Sequence, residues 1–209
     1  LVETAEDFGD PYTAMMRDVG DLAKQGLAGK AQARQVLADM EKLGITPNED
    51  TFVAYMHVLI KAAKHRMGGA NDGEEVLKMM EARALSIPDN MYTLLVTYLS
   101  RVAPFRAAVT FQRGLNVLAL MKDRGVKPNL YFYSSLVSLA AKTAEEPPPP
   151  ATRFLQGLGV IEGMRKAGVQ PDVVCYNALL AAAVRCPATS LDDGYWIMDE
   201  MGHVPVRPD

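Results

Sequence analysis

Apolar and polar residues follow one another along the chain with the period of α-helices. The clearest case lies near the C-terminus, where apolar residues recur three, four and seven positions after Tyr176. That spacing places them on one face of a helix. Pro187 ends this helix, and Ser190 can cap a second one, with Asp193 three residues later in an acidic variant of the capping box. The pattern predicts two helices joined by a turn.

This helix pair is one copy of a unit that recurs along the chain. A methionine recurs at spacings of 40, 41, 43 and 37 residues: Met40, Met80, Met121, Met164 and Met201. A proline follows each methionine: Pro47, Pro88, Pro128, Pro171 and Pro208. An aromatic residue follows four of the prolines: Phe52, Tyr92, Tyr133 and Tyr176. Tyr12 is an earlier candidate for the same position. A glycine that can end a helix precedes three of them: Gly44, Gly125 and Gly168.

The repetition predicts an all-α fold, an α-solenoid or superhelix of about five helix-turn-helix repeats that forms one domain over residues 1–209. The repeats are expected at residues 1–48, 49–88, 89–129, 130–172 and 173–209, and the first is the weakest match. A single unit of this kind cannot bury its own apolar face, so its neighbours supply the rest of the core. We therefore expect function to lie on a long surface rather than in a pocket.

Composition narrows the classes of function. The 209 residues carry a net charge of -3 and include no apolar run of 18 residues, so no membrane-spanning helix is expected. Residues 1–48 hold 5 Lys and Arg against 8 Asp and Glu, and the other 161 residues hold 17 of each kind. This balance argues against strong non-specific binding to nucleic acid, although a local basic stripe is compatible with it.

The chemistry-bearing residues form no recognisable catalytic or metal site. Cys175 and Cys186 have no second cysteine or histidine nearby at metal-ligand spacing, so neither a metal site nor a disulfide framework is expected. The histidines have no partner at triad spacing, and no phosphate loop or nucleotide fingerprint is present. We expect no enzymatic activity, no cofactor and no small-molecule substrate.

Two stretches of the chain resemble a known family. Residues Lys127–Val137 and Gln170–Leu180 are similar to the start of a pentatricopeptide repeat, and Val117–Gly125 and Val160–Gly168 resemble its second helix and closing turn. The resemblance covers essentially the whole chain and is strongest in the last two repeats. The usual repeat has about 35 residues, and four of these repeats are longer. A tetratricopeptide array would fit the period alone, but its Trp, Leu-Gly and Tyr signature is absent.

The resemblance implies a protein that binds single-stranded RNA, about one base per repeat, in a groove lined by the first helix of every pair. In the family, one reading residue follows the aromatic of each first helix, and its partner follows the closing proline. The corresponding pairs are expected to favour A, G and U, in order from 5′ to 3′: Thr93 with Asn129, Ser134 with Asp172, and Asn177 with Asp209. Tyr131 and Val174 would flank bases. Val53 replaces the polar reader of the second repeat, so that repeat is expected to read no base.

A row of cations follows the aromatics nine residues later: Lys61, Arg101, Lys142 and Arg185. In the first repeat Asp21 interrupts the row. One interpretation is a stripe that contacts RNA phosphates beside the reading groove. The alternative is that cations near the C-terminal ends of helices stabilise the last carbonyls, by about 0.3–1 kcal/mol each. The sequence favours the stripe only slightly.

Two hypotheses for the function follow from the resemblance. The first is a single-stranded RNA-binding protein of organellar RNA metabolism or gene expression, in a mitochondrion or chloroplast, that acts by binding alone. The alternative is a scaffold subunit of an organellar ribonucleoprotein, such as a mitochondrial or plastid ribosome or an RNA polymerase complex, with rRNA and other proteins as partners. The chain opens at Leu1 without a methionine and closes on a repeat turn at Pro208 and Asp209. We therefore expect it to be part of a longer protein or assembly.

Overall fold

The computed structural model describes residues 11–106, 109–143, 152–185 and 190–202. Within these ranges the chain forms ten α-helices and no β-strand, which confirms the all-α prediction. None of the described helices is both long enough and apolar enough to cross a membrane. The chain divides into two compact units, unit 1 (Leu1–Val102) and unit 2 (Ala103–Asp209).

Unit 1 is built from five helices in two layers. They are α1 (Pro11–Lys24), α2 (Lys30–Lys42), α3 (Glu49–Ala62), α4 (Asp72–Glu81) and α5 (Asp89–Val102), and a 3₁₀ turn at Ala63–His65 follows α3. Helix α3 packs against both α1 and α5, and α2 and α4 lie against this row. We call the odd-numbered helices of the chain first helices and the even-numbered ones second helices, since each odd-numbered helix opens a predicted pair.

Unit 2 continues the same alternation of helices. After a 3₁₀ turn at Ala103–Phe105 come α6 (Phe111–Asp123), α7 (Leu130–Lys142), α8 (Thr152–Lys166), α9 (Val173–Val184) and α10 (Leu191–Gly202). Helix α7 packs against α6, α8 and α9, and α9 packs against α8 and α10. The predicted capping box of α10 is confirmed, because the Ser190 amide donates to Asp193 at 2.8 Å and the Asp193 amide donates to the Ser190 hydroxyl at 3.2 Å.

The residues that mark the repeat in the sequence form the core of each unit. Four of the five recurring methionines are at most 1% exposed: Met40, Met80, Met121 and Met164. The recurring aromatics are also buried, at most 4% exposed: Phe52, Tyr92, Tyr133 and Tyr176. Full burial of such a side chain contributes about 1.5–3 kcal/mol, so the sequence period reflects the packing of one helix pair on the next. Met201 in the last helix is only partly buried.

The second helices end in one recurring turn that closes the repeat. In three repeats a glycine adopts the left-handed conformation, with φ of 71° at Gly44, 72° at Gly125 and 77° at Gly168. The next amide then donates back to the recurring methionine, as from Ile45 to the Met40 carbonyl at 2.9 Å. This is the hydrogen bond of a Schellman-type helix end, which the sequence predicted from the glycines. The second repeat makes the same turn without glycine, because Ala84 has a φ of 53° and Leu85 donates to the Met80 carbonyl at 3.1 Å.

Candidate nucleic-acid interface

Two apolar side chains stand in solvent at the start of the neighbouring first helices of unit 2. Tyr131 is 74% exposed on α7, and Val174 is 56% exposed on α9. Each is the second residue of its helix, and the residue that follows each of them, Phe132 or Cys175, is fully buried. The backbone therefore directs these two side chains outward at matching positions. They are the residues expected to flank a base.

The predicted partner residues cap the same two helices. The side chain of Asn129 accepts a hydrogen bond from the Phe132 amide at 2.9 Å, and that of Asp172 accepts one from the Cys175 amide at 2.9 Å. Asparagine and aspartate are favoured at this position because their oxygens satisfy an amide that the helix leaves unpaired. Each cap uses one oxygen, so the Asn129 amide nitrogen and the second Asp172 oxygen are the atoms that can face a ligand.

The two predicted reading residues of unit 2 have different environments. Asn177 is exposed and lies one turn beyond Val174, on the same side of α9. Ser134 is only 8% exposed, and its hydroxyl donates to the Leu130 carbonyl at 2.9 Å. Its Oγ also lies 3.2 Å from the Sγ of Cys175 on the neighbouring first helix. The structure therefore leaves Asn177 accessible to a base and engages Ser134 within the protein.

The contact made by Ser134 recurs in unit 1. Thr13 on α1 occupies the position after the aromatic Tyr12, and its Oγ1 lies 3.1 Å from the Oγ1 of Thr51 on α3. In both units, the residue after the aromatic of one first helix contacts the residue before the aromatic of the next. Thr13 is not among the predicted readers, although it follows Tyr12 just as Ser134 and Asn177 follow their aromatics.

The other positions of the predicted code are less accessible or lie outside the described residues. Val53 is half-buried on α3. The Oγ1 of Thr93 on α5 is buried and has no hydrogen-bond partner in the described part of the chain. Thr93 and its predicted partner Asn129 belong to different units. Asp209, the predicted partner of Asn177, lies outside the described residues.

Two members of the cation row make contacts that the sequence did not predict. The Lys61 ammonium lies 3.0 Å from the carboxylate of Asp21, the residue that interrupts the row, on the neighbouring helix α1. Arg185 donates to the Ala141 carbonyl at 3.3 Å, in the last turn of α7. This contact agrees with the alternative interpretation, in which the cations of the row stabilise the last carbonyls of a helix. The helix is the preceding first helix α7, however, and not α9, which Arg185 itself follows. Neighbouring first helices are therefore linked near their C-terminal ends.

The other two cations of the row are half-buried. Burial lowers the pKa of Arg101 from its ordinary value, but an arginine remains charged at neutral pH. Lys142 lies near the end of α7 and is partly exposed.

No group of three or more His, Cys, Asp or Glu suited to a metal ion occurs in the described ranges. Burial raises the pKa of the Cys175 thiol to about 11, so this cysteine is protonated at neutral pH.

The second helices carry ion pairs between repeats. In unit 1, Lys30 on α2 lies 2.6 Å from Asp72 and 2.7 Å from Glu75, both on α4, and Arg34 lies 2.8 Å from Glu75. In unit 2, Arg165 on α8 pairs with Glu200 on α10. These cations are engaged by carboxylates, as Lys61 is by Asp21 on the first helices. The exposed side chains of Tyr131 and Val174 are what make the first-helix face the candidate for binding.

The chain matches a family model described as the pentacotripeptide-repeat region of PRORP over residues 70–209. Among solved structures, the PPR domain of protein-only RNase P 1 from Arabidopsis thaliana, in complex with tRNA, aligns with a TM-score of 0.63 at 13% identity. That alignment covers 96% of this chain and 93% of the other. No curated protein matches the chain at a significant level.

A second solved structure is the pentatricopeptide repeat protein PPR10 in complex with an 18-nt psaJ RNA element. It aligns with a TM-score of 0.65 at 19% identity, and the alignment covers 98% of this chain and 30% of that one. A structure of PPR10 from maize gives a TM-score of 0.57 at 21% identity, over 95% of this chain and 24% of that one. These likenesses confirm the helical-repeat fold. Since the family model spans more than half of the chain, the protein belongs to the pentatricopeptide repeat family.

Proposed function

We propose that the protein binds single-stranded RNA along its first helices and acts by binding alone. The observation that carries this proposal is the matched pair of exposed apolar side chains, Tyr131 and Val174, on neighbouring helices of unit 2. Asn177 lies beside Val174 as an exposed side chain that can both donate and accept hydrogen bonds. The RNA bound by PPR10 and the tRNA bound by the Arabidopsis domain support the same assignment.

The geometry suits a base held between two side chains. Packed helices have axes about 8–10 Å apart, so residues at matching positions on α7 and α9 can bracket one planar base. Stacking of a base on an aromatic side chain contributes about 1–3 kcal/mol and is tolerant of sequence. Tyr131 and Val174 would supply most of the affinity in unit 2, and the polar residues around them would supply the selectivity.

Each predicted reading pair has its own chemistry. Asn177 with Asp209 is proposed to favour U, and Thr93 with Asn129 to favour A. Ser134 with Asp172 is proposed to favour G. The Ser134 hydroxyl donates to the Leu130 carbonyl, so it can read a base only by accepting a hydrogen bond. Guanine offers an N–H donor of this kind, and the second Asp172 oxygen can accept another.

A role in organellar RNA metabolism or gene expression, in a mitochondrion or chloroplast, remains our proposal for the cellular setting. The alternative is the scaffold subunit of an organellar ribonucleoprotein, and one observation favours it. An apolar groove of about 310 Å³ lies between α6, α7 and α8, lined in part by Leu115, Leu118 and Leu155. Leu155 is 57% exposed on the side of the second helices, where a protein partner could dock.

One pair of variants separates the two functions. Val174→Ala and Leu155→Ala remove apolar side chains of nearly equal exposure, 56% and 57%, one from the first helix α9 and the other from the second helix α8. Binding to short single-stranded RNA is measured by fluorescence anisotropy, with the thermal midpoint of each variant as the control for folding. We expect Val174→Ala to weaken RNA binding several-fold and Leu155→Ala to leave it unchanged. The RNA-binding function is refuted if the folded wild-type protein binds no single-stranded RNA at low salt.

A further inference from the structure

A three-residue polar network joins the second helices α8 and α10 in the fifth repeat. Arg165 on α8 donates to the hydroxyl of Tyr176 at 2.7 Å, and this hydroxyl lies 3.3 Å from the carboxylate of Glu200 on α10. Arg165 and Glu200 also pair directly. The carboxylate is therefore held by a cation and by a phenol, and it links two neighbouring second helices.

The preceding repeat has two of these three groups. In the fifth repeat the cation follows the recurring methionine of its helix, and the carboxylate precedes the methionine of the next second helix. At the same two positions the fourth repeat has Lys122 on α6 and Gly163 on α8, and its aromatic is Tyr133. The cation and the phenol are thus present in both repeats, and glycine stands in place of the glutamate.

These three residues all line the apolar groove of about 310 Å³ between α6, α7 and α8. Tyr133 is only 4% exposed, and its hydroxyl has no hydrogen-bond partner among the described residues. Burial raises the pKa of Tyr133, so the hydroxyl keeps its proton at neutral pH and can donate it in a hydrogen bond. A polar group this deeply buried and without a partner indicates that a ligand can supply one.

The groove offers the surroundings of Glu200 without the carboxylate. Lys122 is exposed and makes no ion pair in the part of the chain that the structure describes. An added Cβ at Gly163 would meet no atom within 4 Å, so there is open space at this position. No acidic residue is among the described residues that line the groove. A carboxylate that enters it meets a cation and a phenolic donor, the two partners that hold Glu200 in the next repeat.

The rest of the groove favours an apolar ligand. Its walls include Leu115 and Leu118 on α6 and Leu155 on α8, which would cover an apolar chain or ring. Gly159 lies one turn before Gly163 and likewise has no atom within 4 Å of an added Cβ, so α8 leaves room for the ligand over two turns. Pockets that bind small molecules have volumes of about 300–1,000 Å³, and the groove lies at the lower end of this range.

We propose that this groove binds a small carboxylic acid with an apolar chain or ring, whose carboxylate contacts Lys122 and Tyr133 as Glu200 contacts its partners in the fifth repeat. The ligand is bound and not chemically changed. The inference goes beyond the proposed RNA-binding function and does not depend on it, because the RNA is proposed to lie along the first helices, at Tyr131 and Val174.

The first test compares two ligands that differ in charge. Octanoate is the probe, and 1-octanol, which has a chain of the same length without the charge, is the control. Binding to the full chain is measured by NMR from the methyl signals of the leucines. We expect octanoate to bind about tenfold more tightly than 1-octanol, because a hydrogen bond to a charged group is stronger than one to a neutral group. Tyr133→Phe keeps the buried ring and removes the hydroxyl, so it should weaken octanoate binding about tenfold and leave 1-octanol binding unchanged.

The second test supplies the carboxylate from the chain itself. Gly163→Glu places a glutamate where the next repeat has Glu200, so it should compete with octanoate and weaken its binding at least about tenfold. Gly194→Glu on α10 is the matched control, because its side chain also enters open space and adds the same charge outside the groove. This variant should bind octanoate as the wild-type protein does.

Four results would overturn the inference. Octanoate may fail to bind at millimolar concentration, or it and 1-octanol bind equally tightly. Tyr133→Phe binds octanoate as tightly as the wild-type protein, or the two glutamate variants bind it alike. The thermal midpoint of each variant shows that it is folded. Loss of RNA binding is a separate measurement, and it would refute the proposed function without affecting this site.

Discussion

Replacing Ala84 by glycine should stabilise the protein. Ala84 closes the second repeat with a φ of 53°, in the left-handed region where the other described repeats of this kind have glycine. An L-residue with a Cβ costs about 1–2 kcal/mol in this conformation. Glycine removes that cost but gives the unfolded chain more freedom, which offsets about 0.4–1 kcal/mol. The expected net gain in the free energy of unfolding is about 0.5–1 kcal/mol.

Gly44→Ala is the reverse substitution at the matching position of the first repeat. Gly44 has a φ of 71°, and an added Cβ would meet no atom within 4 Å. Gly44→Ala therefore tests the backbone conformation alone, and it should destabilise the protein by about 1 kcal/mol. Gly163→Ala on α8 is the control, because it also meets no atom within 4 Å and its φ is not positive. In a helix interior, alanine should stabilise by up to about 1 kcal/mol relative to glycine.

Urea unfolding followed by far-ultraviolet circular dichroism measures all three variants. One kcal/mol corresponds to a shift of about 2–4 °C in the thermal midpoint for a chain of this size, so thermal unfolding provides a second measurement. The same chemical change, Gly to Ala, should thus lower stability at Gly44 and raise it at Gly163. If Ala84→Gly destabilises the protein, or if Gly44→Ala leaves its stability unchanged, the positive φ is not the reason for glycine at these helix ends.

Three further predictions concern the charged and reading residues. Asn177→Thr should move the base preference of the last repeat from U toward G, as measured with RNAs that differ at one base, and an unchanged preference would show that Asn177 reads no base. Arg185→Gln should lower the thermal midpoint slightly, because the bond to the Ala141 carbonyl is lost; if the arginine also contacts phosphate, the salt slope of binding falls by about 0.7. Burial alone would raise the pKa of Asp72, but hydrogen bonds from Lys30 and a backbone amide outweigh it and hold the pKa below its ordinary value. The Asp72 carboxylate therefore stabilises the fold above the pKa of the unfolded chain, and this stabilisation is lost as pH falls through the pKa of the folded protein. Asp72→Asn should lower the free energy of unfolding in urea by about 2 kcal/mol at pH 7 and by much less in strong acid. An equal loss at both pH values would show that the carboxylate charge is not the source of the stabilisation.

The sequence predicted the helices because their signals are local. The Ser190 and Asp193 capping box spans four residues, and in three closing turns a glycine lies three residues before a proline. The burial of the recurring methionines and aromatics could also be predicted, because a periodic apolar position has only the neighbouring repeat to pack against. The left-handed conformation of Ala84 could not be predicted, because alanine rarely adopts a positive φ and nothing in the sequence indicates that this turn imposes one.

Contacts between repeats depend on how one helix is aligned with the next. Asp21 was recognised as the residue that interrupts the cation row, but its ion pair with Lys61 joins residues 40 positions apart. In the same way, the sequence selected Ser134 as a reading residue and did not predict that a neighbouring helix would bury it. The candidate site was thus predictable as a set of positions, and the accessibility of each position was not.

The contacts from Ser134 to Cys175 and from Thr13 to Thr51 mean that the position we propose as a base reader also holds two neighbouring first helices together. A larger or differently shaped side chain at Ser134 would push α9 away from α7 and change the spacing between the side chains that flank a base. If Ser134 reads a base as we propose, recognition at its repeat is coupled to the spacing between α7 and α9. A redesign of the proposed base preference that exchanges Ser134 alone would change how α9 packs on α7, and it would need a compensating change at Cys175 to keep the two helices at their spacing.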